Sequence, residues 1–174
     1  MGIQIGAKPD SGFDDPLGML KDCHRRIEHF LKILCVVVER AQSRMLTADE
    51  AAVVEAALNY FRVGGQRHTA DEEESLFPRL VAAGGFAEID RLEDDHAEAG
   101  SLHDEVETFY RSWISDGGLG KNRYRQLLSS TNRLRALYQE HIQVEDHVVF
   151  PRAAQMLDQN AIRAMGREFR ARRQ

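Results

Sequence analysis

The chain has 174 residues, 43% hydrophobic and 29% charged, with a formal net charge of −5; the length suits one compact domain and the composition excludes wholesale disorder. The acidic balance excludes a dedicated nucleic-acid binder, which needs a basic surface. No apolar run is long enough to span a membrane and no signal-peptide core follows Met1, so no membrane association and a cytoplasmic location are expected.

Residues 1–13 hold three glycines and a proline without periodicity and read as a flexible lead-in. Asp14-Asp15-Pro16 marks a helix start, with a carboxylate at the cap and proline in the first turn. Leu17, Leu20, His24, Ile27, Leu31, Leu34 and Val38 then recur at steps of three and four, one seam of a helix ending near Ser43. Cys23 and Cys35 share that helix. Twelve residues separate them by roughly 18 Å, too far for a disulfide, so both are read as reduced packing residues.

Thr47 to Glu50 forms a capping box. The second seam runs Val54, Leu58, Phe61, Gly65, His68, Glu72, Leu76. Gly64-Gly65 predicts a kink, Pro78 a helix limit and Gly84-Gly85 a turn. The third seam runs Ile89, Leu92, His96, Gly100, His103, Val106, Tyr110, Ile114, until Asp116-Gly117-Gly118. The fourth runs Leu127, Thr131, Leu134, Tyr138, His141, Glu145, Val148, with Pro151 close behind. A short terminal helix is expected near 160–172. The fold class is therefore all-α: an up-down-up-down four-helix bundle over residues 14–157, then a C-terminal helix and tail over 158–174.

Each seam is interrupted by a histidine, and two also by a glutamate. His68 and Glu72 are followed by Leu76-Phe77-Pro78, and His141 and Glu145 by Val149-Phe150-Pro151, so both segments read H-x-x-x-E-x-x-x-(L/V)-F-P. His24 precedes His68 by 44 residues and His96 precedes His141 by 45. The chain thus reads as two similar helix pairs around an approximate two-fold axis. Residues at i and i+4 stand one above the other on a helix, so each histidine–glutamate pair can reach one metal pair. Four imidazoles and two carboxylates without a cysteine suit iron, manganese or zinc. Two carboxylates can bridge two metals, and two imidazoles can complete each.

On these residues the chain resembles the hemerythrin-like family, the HHE cation-binding domain, over roughly residues 14–157. The resemblance implies two iron ions bridged by Glu72 and Glu145, with His24 and His68 on one and His96 and His141 on the other; zinc and manganese rank below iron. Oxygen-carrying members have a further histidine where this chain has Gly100, and an aspartate bridge at a different spacing from Glu145. These departures argue against simple oxygen transport. They point instead to members associated with oxygen, redox or iron sensing. The expected partners are dioxygen, peroxide or nitric oxide, with neither nucleic acid nor membrane. The alternatives are an enzyme that decomposes peroxide or reduces nitric oxide, and an iron-storage or other metal-binding module. Ferritin-like bundles place glutamate before histidine at three-residue spacing, the reverse of the order here.

Three further residues share the seams. Glu28 reads as a flank carboxylate with an option on ligation. His103, about 10 Å along the axis from His96, reads as a core or supporting histidine. Tyr138 reads as a core tyrosine able to donate a hydrogen bond toward the site. His29 and His147 lie off the ligand stripe, Glu73, Glu74 and Asp146 read as solvated, and the C-terminal arginines as a solvated basic face.

Overall fold

The computed structural model describes residues 10–85 and 87–174. Five continuous helices account for nearly all of them, with no strand among the described residues. Helix α1 (Pro16–Ala41) starts where the Asp15 carboxylate accepts the Gly18 N–H at 3.0 Å. It ends two residues before the expected Ser43, because Gln42 and Ser43 adopt left-handed φ angles of 47° and 68°. Helix α2 (residues 48–82) opens on the Thr47–Glu50 capping box, both arms of which are formed. Helix α3 (Glu88–Asp116) stops at left-handed Gly117. Helix α4 covers residues 121–156, and α5 (Gln159–Ala171) is capped by Asp158, which accepts the Ala161 N–H at 2.8 Å.

Two expected interruptions take a different form. Around Gly64-Gly65 the helix does not break; it widens into a π-helical turn, Phe61–Gly65, and continues. Pro78 does not end α2 either. A second π turn, Glu72–Leu76, precedes it, with the Phe77 N–H donating to the Glu72 carbonyl, and the helix runs on to Ala82. Helix α4 repeats the device: the Phe150 N–H donates to the Glu145 carbonyl across Glu145–Val149, just before Pro151. Proline cannot supply the next hydrogen bond and clashes with the carbonyl one turn back. A wider turn at that place shifts the carbonyl register and lets the helix persist. Both of these π turns begin on the glutamate of the H-x-x-x-E motif.

Helix α1 packs between α2 and α4, and α3 lies against α4 and α2. Helix α5 crosses α1 and the second π turn of α2. The apolar interior comes in two clusters. One contains Ile27, Leu34, Val54, Phe61, Tyr110 and Trp113. The other contains Leu20, Phe77, Leu92, Phe150, Met165 and Phe169. In α1, α2 and α4 the chain passes from one cluster to the other through buried polar residues: Asp22 and His24, then His68, Asp71, Glu72 and Ser75, then His141 and Glu145. His96 marks the crossing in α3.

Part of the expected lead-in, residues 1–9, lies outside the described residues. Ser11 donates its backbone N–H to the Asp22 carboxylate. The Phe13 ring lies under the Arg170 guanidinium, 4.9 Å from its centroid. The C-terminal arginines are not merely a solvated face. Arg172 and Arg173 reach the two oxygens of Asp71, which is 0% exposed, at 2.9 and 2.6 Å. Arg79 pairs with Glu168 at 2.6 Å, so α5 is clamped to α2 beside the H-x-x-x-E motif. The tightest approach in this seam is at Gly166, where an added Cβ would stand 2.0 Å from the Phe13 carbonyl oxygen. Gly166→Ala is expected to destabilise the docked α5 by about 1–3 kcal/mol. Faster amide exchange in α5 than in wild type would show this; unchanged exchange would refute the packing assigned here.

Candidate metal centre

All six residues singled out by the repeat come together between the two apolar clusters. Ligand-type atoms of His24, His68, Glu72 and Glu145 lie within 4.8 Å of one another, and so do those of Glu72, His96, His141 and Glu145. The two groups share both glutamates. Each of the four bundle helices contributes one histidine, and the π-turn helices α2 and α4 contribute the carboxylates.

Glu72 and Glu145 are 0% exposed, and none of their four carboxylate oxygens has a hydrogen-bond partner among the described residues. His24 Nε2 and His141 Nε2 approach Glu145 Oε2 at 3.0 and 3.1 Å, but neither with hydrogen-bond alignment. A buried carboxylate left charged and unpaired costs several kcal/mol, and this layer buries two carboxyl groups.

The outward nitrogens of three histidines are held by carboxylates. His24 Nδ1 lies 2.9 Å from Asp146, His96 Nδ1 2.9 Å from Glu73, and His141 Nδ1 3.3 Å from Asp95. Such a partner accepts the Nδ1 proton and leaves the Nε2 lone pair facing inward. The inward nitrogens of His96 and His141 then stand 3.1 Å apart. Two lone pairs at that separation repel unless a proton or a metal cation lies between or beside them. Glu73 and Asp146, expected to be solvated, thus belong to the support of the site. They follow the two glutamates directly and cross to the histidines of the opposite helix pair: α2 serves α3, and α4 serves α1. His68 breaks the pattern, since its Nδ1 is buried without a partner. In the repeat, Cys23 stands where Asp95 stands in the second half. Burial raises the Cys23 thiol, which suppresses the reactive thiolate. Its Sγ accepts from Arg26 at 3.2 Å.

Proton affinities follow from this layer. Burial opposes charge on His24, but its hydrogen bond to Asp146 and the Glu145 carboxylate 3.0 Å away outweigh it and push its pKa up to about 10. Burial, then the His24 charge, holds His68 well below the ordinary value. Burial and the neighbouring Glu145 charge raise Glu72. Burial also opposes ionisation of Glu145, yet the His141 and His24 imidazoles, 3.1 and 3.0 Å from its carboxylate, hold it low. Without metal, the cluster therefore retains protons that a cation would displace.

A cleft of about 570 Å³ opens between α2 and α3 and reaches His96. Its wall includes Gly65, Glu73, Gly100, His103 and Tyr138. A Cβ at Gly100 would meet nothing within 4 Å, so this glycine keeps the cleft wide beside His96. The corresponding position of the first half is Glu28, which is exposed and lines a separate groove between α1 and α4. Glu28 lies outside both ligand groups. His29 and His147 are exposed. On the opposite side of the cluster, Phe150 stacks on His24 at 5.3 Å and Phe77 on His96 at 6.0 Å. The Phe-Pro motif thus roofs the imidazoles with apolar surface.

His103 Nε2 lies 3.0 Å from the Tyr138 hydroxyl. Burial lowers His103 to about 4, below the ordinary 6.5 of an unfolded chain. Stability contributed by its neutral burial is present above pH 6.5 and is lost as pH falls from 6.5 toward 4, by at most about 3 kcal/mol. In metal-free protein, the wild-type and His103→Gln urea stability curves should converge or cross over that window. Parallel curves would contradict the burial of a neutral imidazole.

No curated protein matches the chain. A family model, the hemerythrin HHE cation binding domain, matches residues 15–153, the span that contains all six clustered residues. The match covers most of the chain and meets a bundle whose interior gathers two histidine–glutamate groups, so the protein belongs to the hemerythrin HHE cation-binding domain family.

Proposed function

We propose that the protein holds two iron ions and uses them to bind dioxygen or a related small oxidant, in oxygen, redox or iron handling. His24 and His68 serve one iron, His96 and His141 the other, and Glu72 and Glu145 bridge the two. The observation that carries this reading is the pair of buried glutamates shared by two histidine groups, with four carboxylate oxygens left without a hydrogen-bond partner among the described residues. A proton can relieve one such carboxylate, but two divalent cations relieve both and also use the inward imidazole lone pairs. The donor set is nitrogen and oxygen only, which suits iron above softer metals.

When bound, an iron pair supplies open coordination positions and redox change. The chain's own residues prepare the setting. Asp146, Glu73 and Asp95 orient His24, His96 and His141. Phe77 and Phe150 limit water on one side, and the cleft beside Gly100 admits a small ligand on the other. The cleft wall carries His103 and Tyr138, so a ligand near His96 enters past a hydrogen-bonded imidazole–phenol pair.

Metal analysis with an absorption spectrum tests the assignment. Glu72→Ala and Glu145→Ala should each lose at least one metal per chain, while Glu73→Ala should retain both with affinity weaker by about 10–100-fold, as for loss of an orienting carboxylate. Full two-metal loading in both bridge variants would overturn the bridging roles. Because His24 keeps a proton up to about pH 10 without metal, ferrous loading at neutral pH should release protons. The affinity should fall about tenfold per pH unit on acidification for each proton displaced. Calorimetry in buffers of different ionisation enthalpy reads that release, and an uptake heat independent of buffer would contradict it.

A further inference from the structure

The cleft wall contains a pairing that metal binding alone does not require. The Tyr138 hydroxyl stands 3.0 Å from His103 Nε2, and Tyr138 lies three residues before His141, one turn along α4. The chain has four tyrosines. Tyr60 donates to the Cys23 carbonyl and Tyr110 to the Leu34 carbonyl, and a backbone carbonyl cannot carry a proton away. Tyr138 faces an imidazole, which can. Burial keeps that imidazole neutral at physiological pH, so its lone pair is available. Burial also keeps Tyr138 a phenol, and its side chain lines the cleft that reaches His96. Phe61 packs on His103 with ring centroids 4.2 Å apart and shields the pair with apolar surface.

We infer that Tyr138 is a one-electron donor to the metal pair and that His103 takes its proton. The inference rests on the iron reading above. Hydrogen peroxide removes two electrons. Tyr138 would supply one of them, the other coming from the loaded metal site. The Tyr138 O–H bond breaks, its proton passes to His103 Nε2, and its electron completes the reduction of peroxide. The peroxide O–O bond breaks, and with two protons from solvent two water molecules form. Tyr138 is left as a neutral phenoxyl radical beside an imidazolium. Tyr138 is the group that reacts; His103 acts through it as a positioning and proton-accepting residue. The pairing lets a site with an unmatched electron count finish a two-electron reduction without releasing a reactive oxygen fragment into the cleft.

The test uses the full-length protein loaded with iron, its metal content and absorption first recorded. The half-reduced sample is mixed with equimolar hydrogen peroxide, frozen rapidly and examined by electron paramagnetic resonance. A tyrosyl signal is expected in wild type and in Tyr60→Phe, and none in Tyr138→Phe. His103→Gln keeps the phenol but removes the base, and its radical should form about a hundredfold more slowly. Iron oxidised by peroxide without a tyrosyl signal in wild type would overturn the inference while leaving the iron reading intact. A signal that persists in Tyr138→Phe would overturn it too. Failure to load iron, seen before peroxide is added, would overturn both.

Discussion

Two carboxylates and four imidazoles share one largely buried layer across the middle of the bundle, and no hydrogen-bond partner meets any of the four carboxylate oxygens among the described residues. Everything else in the fold is arranged around that imbalance. The apolar clusters above and below limit the layer's contact with water, which raises the cost of leaving it unpaired. A typical domain is stable by only about 5–15 kcal/mol. Two uncompensated buried charges would consume much of that margin. Retained protons soften the imbalance, as the raised His24 and Glu72 show, but they do so by occupying the inward-facing atoms that a cation would use. Fold and metal affinity are therefore coupled through the same atoms.

The two halves of the repeat solve the structural problem alike and the functional one differently. Both use a π turn starting at the glutamate, both roof an imidazole with phenylalanine, and both lend a carboxylate to the opposite half. One divergence between the halves opens the face between α2 and α3. Gly100 there stands opposite the first half's Glu28, Gly65 opposite Tyr138, and His103 opposite Leu31. Small residues open the cleft, and the Tyr138–His103 pair lines it. A third π turn, Phe61–Gly65, has no counterpart in α4 and lies on the same cleft. The cluster is thus close to symmetric in its histidines and glutamates and one-sided in the cleft that reaches it.

The six clustered residues were legible in the sequence because helical periodicity places them on the core stripe, where histidine and glutamate stand out among leucines. The bundle was legible for the same reason. The supporting carboxylates were not, because Glu73, Asp95 and Asp146 each sit one residue from a seam position, about 100° around the helix. They look solvated on their own helix and act only on its neighbour. A signal existed: an acid directly follows both motif glutamates. The π turns escaped periodicity because they change the period locally, and Pro78 was read as a stop although the identical Phe-Pro spacing in α4 marked a shared device. Asp71 and its arginines are about a hundred residues apart in sequence, so the clamp between α2 and α5 has no local trace. The cleft was visible only as two glycines interrupting their seams.

The central claim is that two metals share Glu72 and Glu145 within one layer. X-ray absorption at the iron edge of the iron-loaded protein tests it most directly. The account predicts nitrogen and oxygen neighbours, no sulfur, and a second iron at about 3.5–4 Å or closer, the separation of paired-metal sites. An iron environment without an iron neighbour, at full loading, would show isolated metals and contradict the shared bridge.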